Sequence, residues 1–258
     1  MDRLPRRRVS RHFLYLSYDG GAYCGWQRQP NGVSVQQKVE EALSTIFRLP
    51  TPIVGAGRTD AGVHARMMTA HFDASIPSAS LARFADRLNG LLPPDIAVTR
   101  IAPVTPDAHA RFSAISRTYH YYVTLGKSPF LRAQACRVHG PLNVEAMNAA
   151  ASLLASCSDF TSFSKLHTDA RTNLCRVSSA VWTLQSPTLL QFSITADRFL
   201  RNMVRAIVGT LLIAGRGKLS PDGFRAIIEA RNRGAAGSSA PAQGLFLADI
   251  AYPEYIFI

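Results

Sequence analysis

The order of hydrophobic patterns along the chain predicts an α+β protein built from two tandem split β-α-β halves, ferredoxin-like in plan, with mixed, largely antiparallel sheets. Residues 12–101 follow the order strand, helix, strand, strand, helix, strand, and residues 117–252 repeat that order loosely. The chain has 258 residues, of which 47% are apolar. This is enough to build the core of one large domain or of two modest ones.

The boundary between the halves is expected where the periodicity is lost. Residues 103–110 contain two prolines and show neither a helical nor a strand pattern. We therefore expect a basic flexible leader at residues 1–11, an N-terminal domain at 12–105 and a C-terminal domain at 106–258.

Local signals predict each element of the first half. Ser34, followed three residues later by Gln37, forms a capping box that starts a helix, and Pro50 ends it. Apolar side chains recur at helical spacing between these limits. Alternation, apolar stripes and turn residues predict the remaining elements, which are strands at 12–18, 52–55, 69–73 and 96–101 and a helix at 80–91.

The clearest strand of the second half alternates strictly over residues 117–125. Tyr119 and Tyr121 share one of its faces, and strand tyrosines are most often core residues. Residues 233–243 are rich in Gly, Ala and Ser and are expected to form a loop that is mobile or ordered by substrate. The other predicted elements are helices at 143–154, 199–214 and 221–230, a hairpin of 176–184 with 188–196, and a strand at 245–252.

Basic residues outnumber acidic ones along the whole chain. There are 29 Lys and Arg against 17 Asp and Glu, which gives a net charge of +12. Both halves are positive, with 13 basic and 8 acidic residues before residue 106 and 16 and 9 after it. An excess spread this widely favours an extended polyanion such as nucleic acid over a small anion. Charge that serves only solubility is the alternative.

The chain lacks the sequence patterns of metal centres and of membrane proteins. Its four cysteines are too far apart for a C-x-x-C knuckle and H-E-x-x-H is absent, so we expect no metal. Unpaired cysteines are typical of a reduced compartment, which predicts a cytoplasmic protein. The longest apolar run, residues 206–215, is far shorter than the roughly 20 residues that cross a bilayer. No membrane partner is expected.

The stretch GAGRTDAGVH at residues 55–64 places one carboxylate, Asp60, in a glycine-rich and nearly apolar loop. It does not fit a dinucleotide fingerprint, because Asp60 stands at the third glycine position and would repel a pyrophosphate. The Gly-Lys-Ser/Thr of a phosphate-binding loop is also missing. Two interpretations remain. Either Asp60 bonds its own backbone in a tight turn, or the glycines admit a substrate while Asp60 performs chemistry.

Short motifs follow one another in a fixed order from about residue 12 to residue 252. They are YDG at 18–20, GWQRQ at 25–29, SVQ at 34–36, GRTDAGVH at 57–64, ARFSA at 110–114 with R-x-Y at 117–119, DFTSF at 159–163, FLRNMVR at 199–205 and APAQGL at 240–245. Together and in this order they closely resemble the motifs of the TruA family of tRNA pseudouridine synthases. The resemblance implies the pseudouridine synthase fold, with RRM-like halves around a central RNA-binding cleft.

The resemblance implies that Asp60 is the catalytic aspartate. In a cleft that excludes water, an aspartate keeps its charge when a cation lies beside it, and the family pattern supplies Arg205. Arg201 and Arg205 both flank the apolar face of the predicted helix, a position where arginines are usually solvated. Only the resemblance singles out Arg205 as the ion-pair partner of Asp60.

The resemblance also implies residues that bind the substrate. Tyr119 is expected to stack on the target base and to exchange a proton during the isomerisation, and Tyr121 is expected to be structural. Leu245 resembles an apolar residue that lines the opposite side of the base pocket, with a core leucine as the alternative. Arg58 resembles the arginine that enters the stem and holds the phosphate of the flipped nucleotide or its vacated space.

Three further residues are candidates for contacts with the RNA backbone. They are Trp26, Gln27 and Arg28, and burial of Trp26 is the alternative for that residue. His64 is expected to be structural, because the partners that a metal ligand or a general base would need cannot be identified.

The function implied by the resemblance is isomerisation of uridine to pseudouridine at positions 38, 39 and 40 in the anticodon stem and loop of tRNA, without metal or organic cofactor. A homodimer is expected, because the family builds its RNA cleft from two subunits. Two alternatives stay open, a catalytically silent RNA-binding protein and a pseudouridine synthase with a different RNA target. The presence of Asp60, Tyr119 and Arg205 argues against the first.

Overall fold

The computed structural model describes residues 9–165 and 172–258 and has a mixed α+β fold with mostly antiparallel strands. Its helices are α1 (Val35–Phe47), α2 (Leu81–Asn89), α3 (Val144–Ser152), α4 (Met203–Gly215) and α5 (Pro221–Glu229). Its strands are β1 (Ser10–Tyr18), β2 (Val54–Gly55), β3 (His64–Ala74), β4 (Ile96–Pro103), β5 (Ser116–Thr124), β6 (Cys136–Arg137), β7 (Val177–Ser186), β8 (Leu189–Ala196) and β9 (Leu245–Ala251). No helix within these two ranges is long and apolar enough to span a membrane.

The first of two compact units runs to Ile115 and takes back the terminal segment Ile250–Ile258. Strand β1 is central in this unit, since it pairs antiparallel with β3 on one side and with β4 on the other. The short β2 extends the sheet beyond β3. Every residue of β1 from His12 to Leu16 is buried, so both faces of the strand are covered and β1 forms the core of this unit.

The second unit, Ser116–Asp249, has the strand order β9-β5-β8-β7, and the short β6 runs parallel to β5. Helix α3 packs on β7, where the Asn148 side chain accepts a hydrogen bond from Trp182 N (2.7 Å) and donates one to Trp182 O (3.0 Å). Helix α4 is buried at ten of its thirteen positions. An α-helix that is apolar on most sides belongs in a core, and α4 is the central helix of this unit.

Most predicted elements are present, and two of them begin four or five residues away from the predicted position. Strand β3 begins at His64 rather than at residue 69, because it pairs along almost the whole length of β1, down to the pair Tyr18–Ala65. Helix α4 begins at Met203 rather than at residue 199. The reason is Asn202, which has a φ of 66°, a left-handed conformation that an α-helix does not contain.

The capping box predicted at the start of α1 is half formed. Ser34 Oγ accepts a hydrogen bond from Gln37 N at 3.2 Å, as expected. The Gln37 side chain donates to Glu41 instead of returning to Ser34. At its other end the helix stops before Pro50, because Arg48 takes a left-handed cap conformation with a φ of 56°.

The division between the units falls between Ile115 and Ser116, later than the boundary expected after residue 105. The intervening residues stay with the first unit because Ile115 N donates to Ala251 O at 2.8 Å. The same bond explains why the C-terminal segment belongs to the first unit. The expected C-terminal domain, 106–258, therefore begins earlier and ends later than the second unit, Ser116–Asp249.

Part of the expected leader at residues 1–11 belongs to the sheet. Ser10 and Arg11 pair with Ala74 and Asp73 as the first residues of β1. Residues 1–8 lie outside the described residues.

Candidate active site

The loop that carries Asp60 joins β2 to β3 and is fastened to the segment that follows β1. Thr59 O accepts a hydrogen bond from Trp26 N at 3.3 Å, and Gly62 N donates to Tyr23 O at 3.4 Å. These bonds lie on both sides of Asp60. The backbone position of the carboxylate is therefore set by a segment that is distant in sequence.

Asp60 is half-buried at the turn of this loop, and Arg58, two residues earlier, is exposed. The turn is closed by a main-chain bond from Val63 N to Asp60 O at 3.2 Å. The main chain around Asp60 therefore forms the turn that the glycines on both sides predict.

Two glycines allow the segment after β1 to approach the loop closely. Gly25 has a φ of +88°, in the left-handed region that favours glycine. A Cβ atom there would overlap Thr59 O and lie 3.1 Å from the carbonyl carbon of Asp60. At Gly20 a Cβ atom would overlap the carbonyl of Val63. The glycines of the YDG and GWQRQ motifs are thus required by the main chain of the loop.

Tyr18, the last residue of β1, fixes the side chain next to Asp60. Its hydroxyl oxygen lies 2.9 Å from Thr59 Oγ1, and both groups are buried. A buried hydroxyl that loses its partner pays the full cost of desolvation, so this pair favours one position of the loop. Tyr18 is therefore a positioning residue for the main chain that carries Asp60.

His64 follows the loop and is buried, in agreement with its expected structural role. Its Nδ1 atom lies 3.0 Å from Asp19 Oδ1 and 3.1 Å from Gly20 N. One ring nitrogen cannot donate to the first and accept from the second at the same time. In either arrangement His64 holds the Asp19–Gly20 turn.

The three residues expected to contact RNA, residues 26–28, differ in their exposure to solvent. Trp26 is only 2% exposed, and its indole occupies the space beside Gly55, where a Cβ atom would overlap it. The expectation that the Trp26 side chain contacts RNA is therefore wrong. The alternative, burial of this side chain in the core of the first unit, is what the structure has. Gln27 and Arg28 are exposed, and Arg28 lies 3.5 Å from Glu40.

In the second unit, Tyr119 lies on β5 opposite Ile194 of β8. It is half-buried, and its ring packs edge-on against Phe199 with centroids 5.0 Å apart and planes at 84°. Tyr121 is fully buried, its hydroxyl donates to Pro241 O at 2.8 Å, and burial raises its pKa. Of these two tyrosines on one face, Tyr119 keeps ring surface available for contact and Tyr121 does not.

Arg205 lies on α4 and is half-buried. An arginine on the flank of a helix is usually solvated, so this position is unusual. Its Nε atom donates to Ala240 O at 2.7 Å, and Ala240 N donates to Arg205 O at 2.9 Å. This reciprocal pair fixes the base of the guanidinium group. The orientation of the cation is therefore set by contacts within the second unit.

The glycine-rich loop at residues 233–243 is bound to the same helix. Gly237 N donates to Thr210 Oγ1 at 3.0 Å. At Gly209 of α4 a Cβ atom would overlap Ser238 O, so the helix carries a glycine where the loop crosses it. The loop at 233–243, expected to be mobile or ordered by substrate, contacts α4 at these two points.

The predicted site residues divide between the two units. Asp60 and Arg58 belong to the first, whereas Tyr119, Arg205 and Leu245 belong to the second. Leu245 begins β9 and is buried, which fits both a core leucine and the wall of an apolar pocket. Among the described residues, no three His, Cys, Asp or Glu side chains are grouped so as to hold a metal ion.

Sequence reasoning assigned no role to Tyr18, Gly20 or Gly25. Each stands inside a motif that the sequence analysis quoted. Their partner, however, is the loop at 57–64, and a single sequence carries no information about which distant segments meet.

Known proteins resemble this chain over nearly its whole length. A family model described as tRNA pseudouridine synthase matches residues 15–113 and 150–253, which include Asp60 and Arg205, and Tyr119 lies between the two matched ranges. A protein of Parabacteroides distasonis named tRNA pseudouridine synthase A is 58% identical over 249 residues, covering 96% of this chain and 98% of the relative. Proteins of the same name from Porphyromonas gingivalis and Geobacter sulfurreducens are 57% identical over 252 residues (97% and 100% covered) and 44% identical over 243 residues (93% and 98% covered).

Proposed function

Because this chain belongs to the tRNA pseudouridine synthases, isomerases that convert uridine to pseudouridine, we propose that it acts on uridines 38, 39 and 40 in the anticodon stem and loop of tRNA. The observation that carries the proposal is the similarity over nearly the whole chain, which includes the loop with Asp60. The net charge of +12 supports a polyanionic substrate.

The reaction moves one bond within the substrate and consumes no external group. The bond between ribose C1′ and uracil N1 breaks, the base turns while it stays bound, and C1′ then bonds to C5. The proton on C5 leaves and N1 gains a proton, so the product is an isomer of the substrate. We propose that Asp60 attacks the sugar or the base, or stabilises positive charge at C1′, as carboxylates do in glycoside hydrolysis, and that it assists removal of the C5 proton.

We propose that Arg205 is the cation that keeps Asp60 ionised. The support for this role is its half-burial and its anchor on Ala240 O, which fix the guanidinium before the substrate binds. A preorganised charge needs no rearrangement at the moment of reaction and therefore contributes more to catalysis. Breaking a buried ion pair typically costs about 3–5 kcal/mol, so Arg205→Ala is expected to lower kcat strongly.

We propose that Tyr119 and Leu245 bind the everted base between them and that Arg58 holds the phosphate of the flipped nucleotide or fills its space. Stacking contributes about 1–3 kcal/mol per base, which offsets much of the few kcal/mol needed to take a uridine out of its stem. The exposure of Arg58 and the half-exposed ring of Tyr119 support these roles. Tyr119 is also proposed to exchange a proton during the isomerisation. The exposed Gln27 and Arg28 are proposed to contact the RNA backbone.

We also propose the tandem split β-α-β plan of the family around a central RNA-binding cleft, a homodimer and the cytoplasm as the place of action. The strand order β4-β1-β3 in one unit and β5-β8-β7 in the other supports the tandem plan. The dimer is tested by light scattering of the purified protein, for which one chain contributes 28.2 kDa. A particle with the mass of one chain contradicts it.

The activity is tested with transcribed tRNA that carries tritium at C5 of uracil, because pseudouridine formation releases that label. The wild-type protein is expected to release it, whereas Asp60→Asn should bind tRNA within about threefold of the wild type and release none. A matched control is Asp86→Asn, an exposed aspartate on α2, which should keep full activity. Comparable turnover by Asp60→Asn refutes its catalytic role.

The same assay decides between the proposed function and its alternatives. If the wild-type protein binds tRNA without releasing label, the chain is a silent RNA-binding protein. If label is released but modified sites map outside positions 38–40, the enzyme has another RNA target.

A further inference from the structure

Phe112 is an exposed aromatic side chain on a turn that is otherwise firmly held. The side chain is 74% exposed, and the turn that carries it spans residues 109–113 and overlaps the ARFSA motif at 110–114. A large apolar side chain in water is unremarkable on a loose loop. On a fixed turn it is presented in one place, which is what a binding surface requires.

His109 organises the turn from inside. Its Nδ1 atom accepts hydrogen bonds from two successive amides, Arg111 N at 3.1 Å and Phe112 N at 3.3 Å. Ser113 Oγ accepts from His109 N at 2.9 Å, and Ser113 N donates to His109 O at 2.9 Å. Burial lowers the pKa of His109, which keeps Nδ1 an acceptor at neutral pH.

The turn is also anchored to the body of the first unit. Ala110 N donates to Nδ1 of the buried His71 at 3.1 Å, and Ala110 O accepts from the Tyr252 hydroxyl at 2.6 Å. Arg11 adds a bond from Nη1 to Ala108 O at 3.2 Å. The backbone under Phe112 is therefore preorganised before any partner binds.

An aromatic ring and a cation are presented together on this turn. The ring of Phe112 lies on that of His109, with centroids 4.4 Å apart and planes at 36°. The guanidinium carbon of Arg111 is 5.5 Å from the centroid of the Phe112 ring. No acidic residue occurs in residues 108–116. A nucleotide has the matching chemistry, since its base stacks on a ring and its phosphate pairs with a guanidinium.

We propose that residues 109–113 form an RNA-docking turn in which Phe112 stacks on an unpaired base and Arg111 contacts a neighbouring phosphate. This inference rests on the proposed function, which makes tRNA the substrate. Base stacking on a single ring needs little surface, whereas a stable protein interface buries about 800 Å² per partner. One exposed ring beside a cation fits the first requirement better than the second.

The test measures the binding of transcribed tRNA with uridines at positions 38–40 to four variants of the full chain, Phe112→Ala, Phe112→Leu, Phe112→Trp and Arg111→Gln. Loss of a stacked base is expected to raise Kd about 5- to 150-fold in Phe112→Ala. Tryptophan should keep Kd within about threefold of the wild type, and leucine should behave like alanine because it lacks a π-face. Arg111→Gln should weaken binding and reduce the slope of log Kd against log salt by about one.

The matched control is Tyr255→Ala. Tyr255 is 79% exposed and lies in the same unit, but its neighbour is Glu254 rather than an arginine. It should bind tRNA like the wild type. The rate of label release at saturating enzyme should stay within about threefold of the wild type in all five variants, since docking affects affinity and not the chemical step.

Several results would overturn the inference. One is an unchanged Kd in Phe112→Ala, and another is a leucine variant that binds as well as the tryptophan variant. A changed particle mass in Phe112→Ala would show that the ring contacts a second copy of the chain. If Phe112→Ala does not fold, the tryptophan and Arg111→Gln variants decide. A wild-type protein that binds tRNA but releases no label contradicts the proposed function and leaves the Kd comparison valid.

Discussion

Replacing Gly25 by alanine tests whether the position of Asp60 depends on the segment after β1. Gly25 has a φ of +88°, and an added Cβ atom would fall about 0.7 Å short of the 3.0 Å separation from Thr59 O that real Cβ atoms keep. The atom it meets belongs to the main chain directly before Asp60. Main chain cannot rotate away as a flexible side chain can, so the loop or the segment must move by about that distance.

Two costs follow from this substitution, and their magnitudes differ. A left-handed conformation costs an L residue about 1–2 kcal/mol, and each kcal/mol lowers Tm by about 2–4 °C in a protein of 150–250 residues. The displacement acts on catalysis, because a misplacement of about 1 Å can lower the rate about 10²-fold. We expect kcat for Gly25→Ala to fall about 10- to 100-fold, with KM for tRNA changed less than about threefold.

The assay is label release from tRNA tritiated at C5, with thermal unfolding measured on the same samples. Gly140→Ala is the matched control, because Gly140 has a φ of +85° but no atom within 4 Å of an added Cβ. The Tm of this control should fall by a similar amount, about 2–4 °C for each kcal/mol that the left-handed conformation costs. Its kcat should equal that of the wild type. A folded Gly25→Ala protein with wild-type kcat would refute the argument that this close approach positions the loop that carries Asp60.

Three further predictions concern stability. Tyr18→Phe should lower the free energy of unfolding by about 1–3 kcal/mol, because it leaves the buried Thr59 Oγ1 without its partner; additivity with Thr59→Val in urea denaturation would contradict this pairing. Burial lowers the pKa of His71 to about 4 in the folded protein, whereas in the unfolded chain the imidazole is protonated below about pH 6.5. The free energy of unfolding should therefore fall as the pH drops from about 6.5 to about 4, by up to about 1.4 kcal/mol per pH unit. His71→Gln should flatten that slope, and an unchanged slope counts against His71 as its source. The hydrogen bond from Arg11 lowers the pKa of Asp73, so the pair stabilises the fold above about pH 4 and this contribution is lost as pH falls through the lower folded-state pKa. Asp73→Asn should cost about 0.2–1 kcal/mol at pH 7 for this exposed pair and less at pH 2, and an equal cost at both pH values would exclude the ion pair as the cause.

The sequence predicts those parts of the fold that local patterns determine. The run of aromatic and aliphatic residues in β1 and the Ser34 cap of α1 each specify an element within a few residues. The start of α4 could not be predicted in this way, because residues 199–202 read as helical. The left-handed conformation of Asn202 delays the helix to Met203.

The candidate site was named by resemblance, while its supports are tertiary and could not be read from one sequence. Trp26 illustrates the difference. It stands beside the polar residues Gln27 and Arg28, and this local composition is typical of a surface segment. Its burial depends on Gly55, which leaves the space that the indole fills. That complementarity joins two residues far apart in sequence, and neither alone predicts it.

The reaction proposed for this chain needs a carboxylate and a cation in fixed orientations, and each compact unit supplies its own fixation. In the first unit the loop with Asp60 is held by main-chain bonds at Thr59 and Gly62. In the second, the Nε atom of Arg205 is committed to Ala240 O. Because neither set of bonds involves RNA, both groups can be oriented before the substrate arrives, and binding energy need not be spent on ordering them. Substitutions that loosen either support should therefore lower kcat more than they raise KM, which is the opposite of the effect expected at the RNA-docking turn.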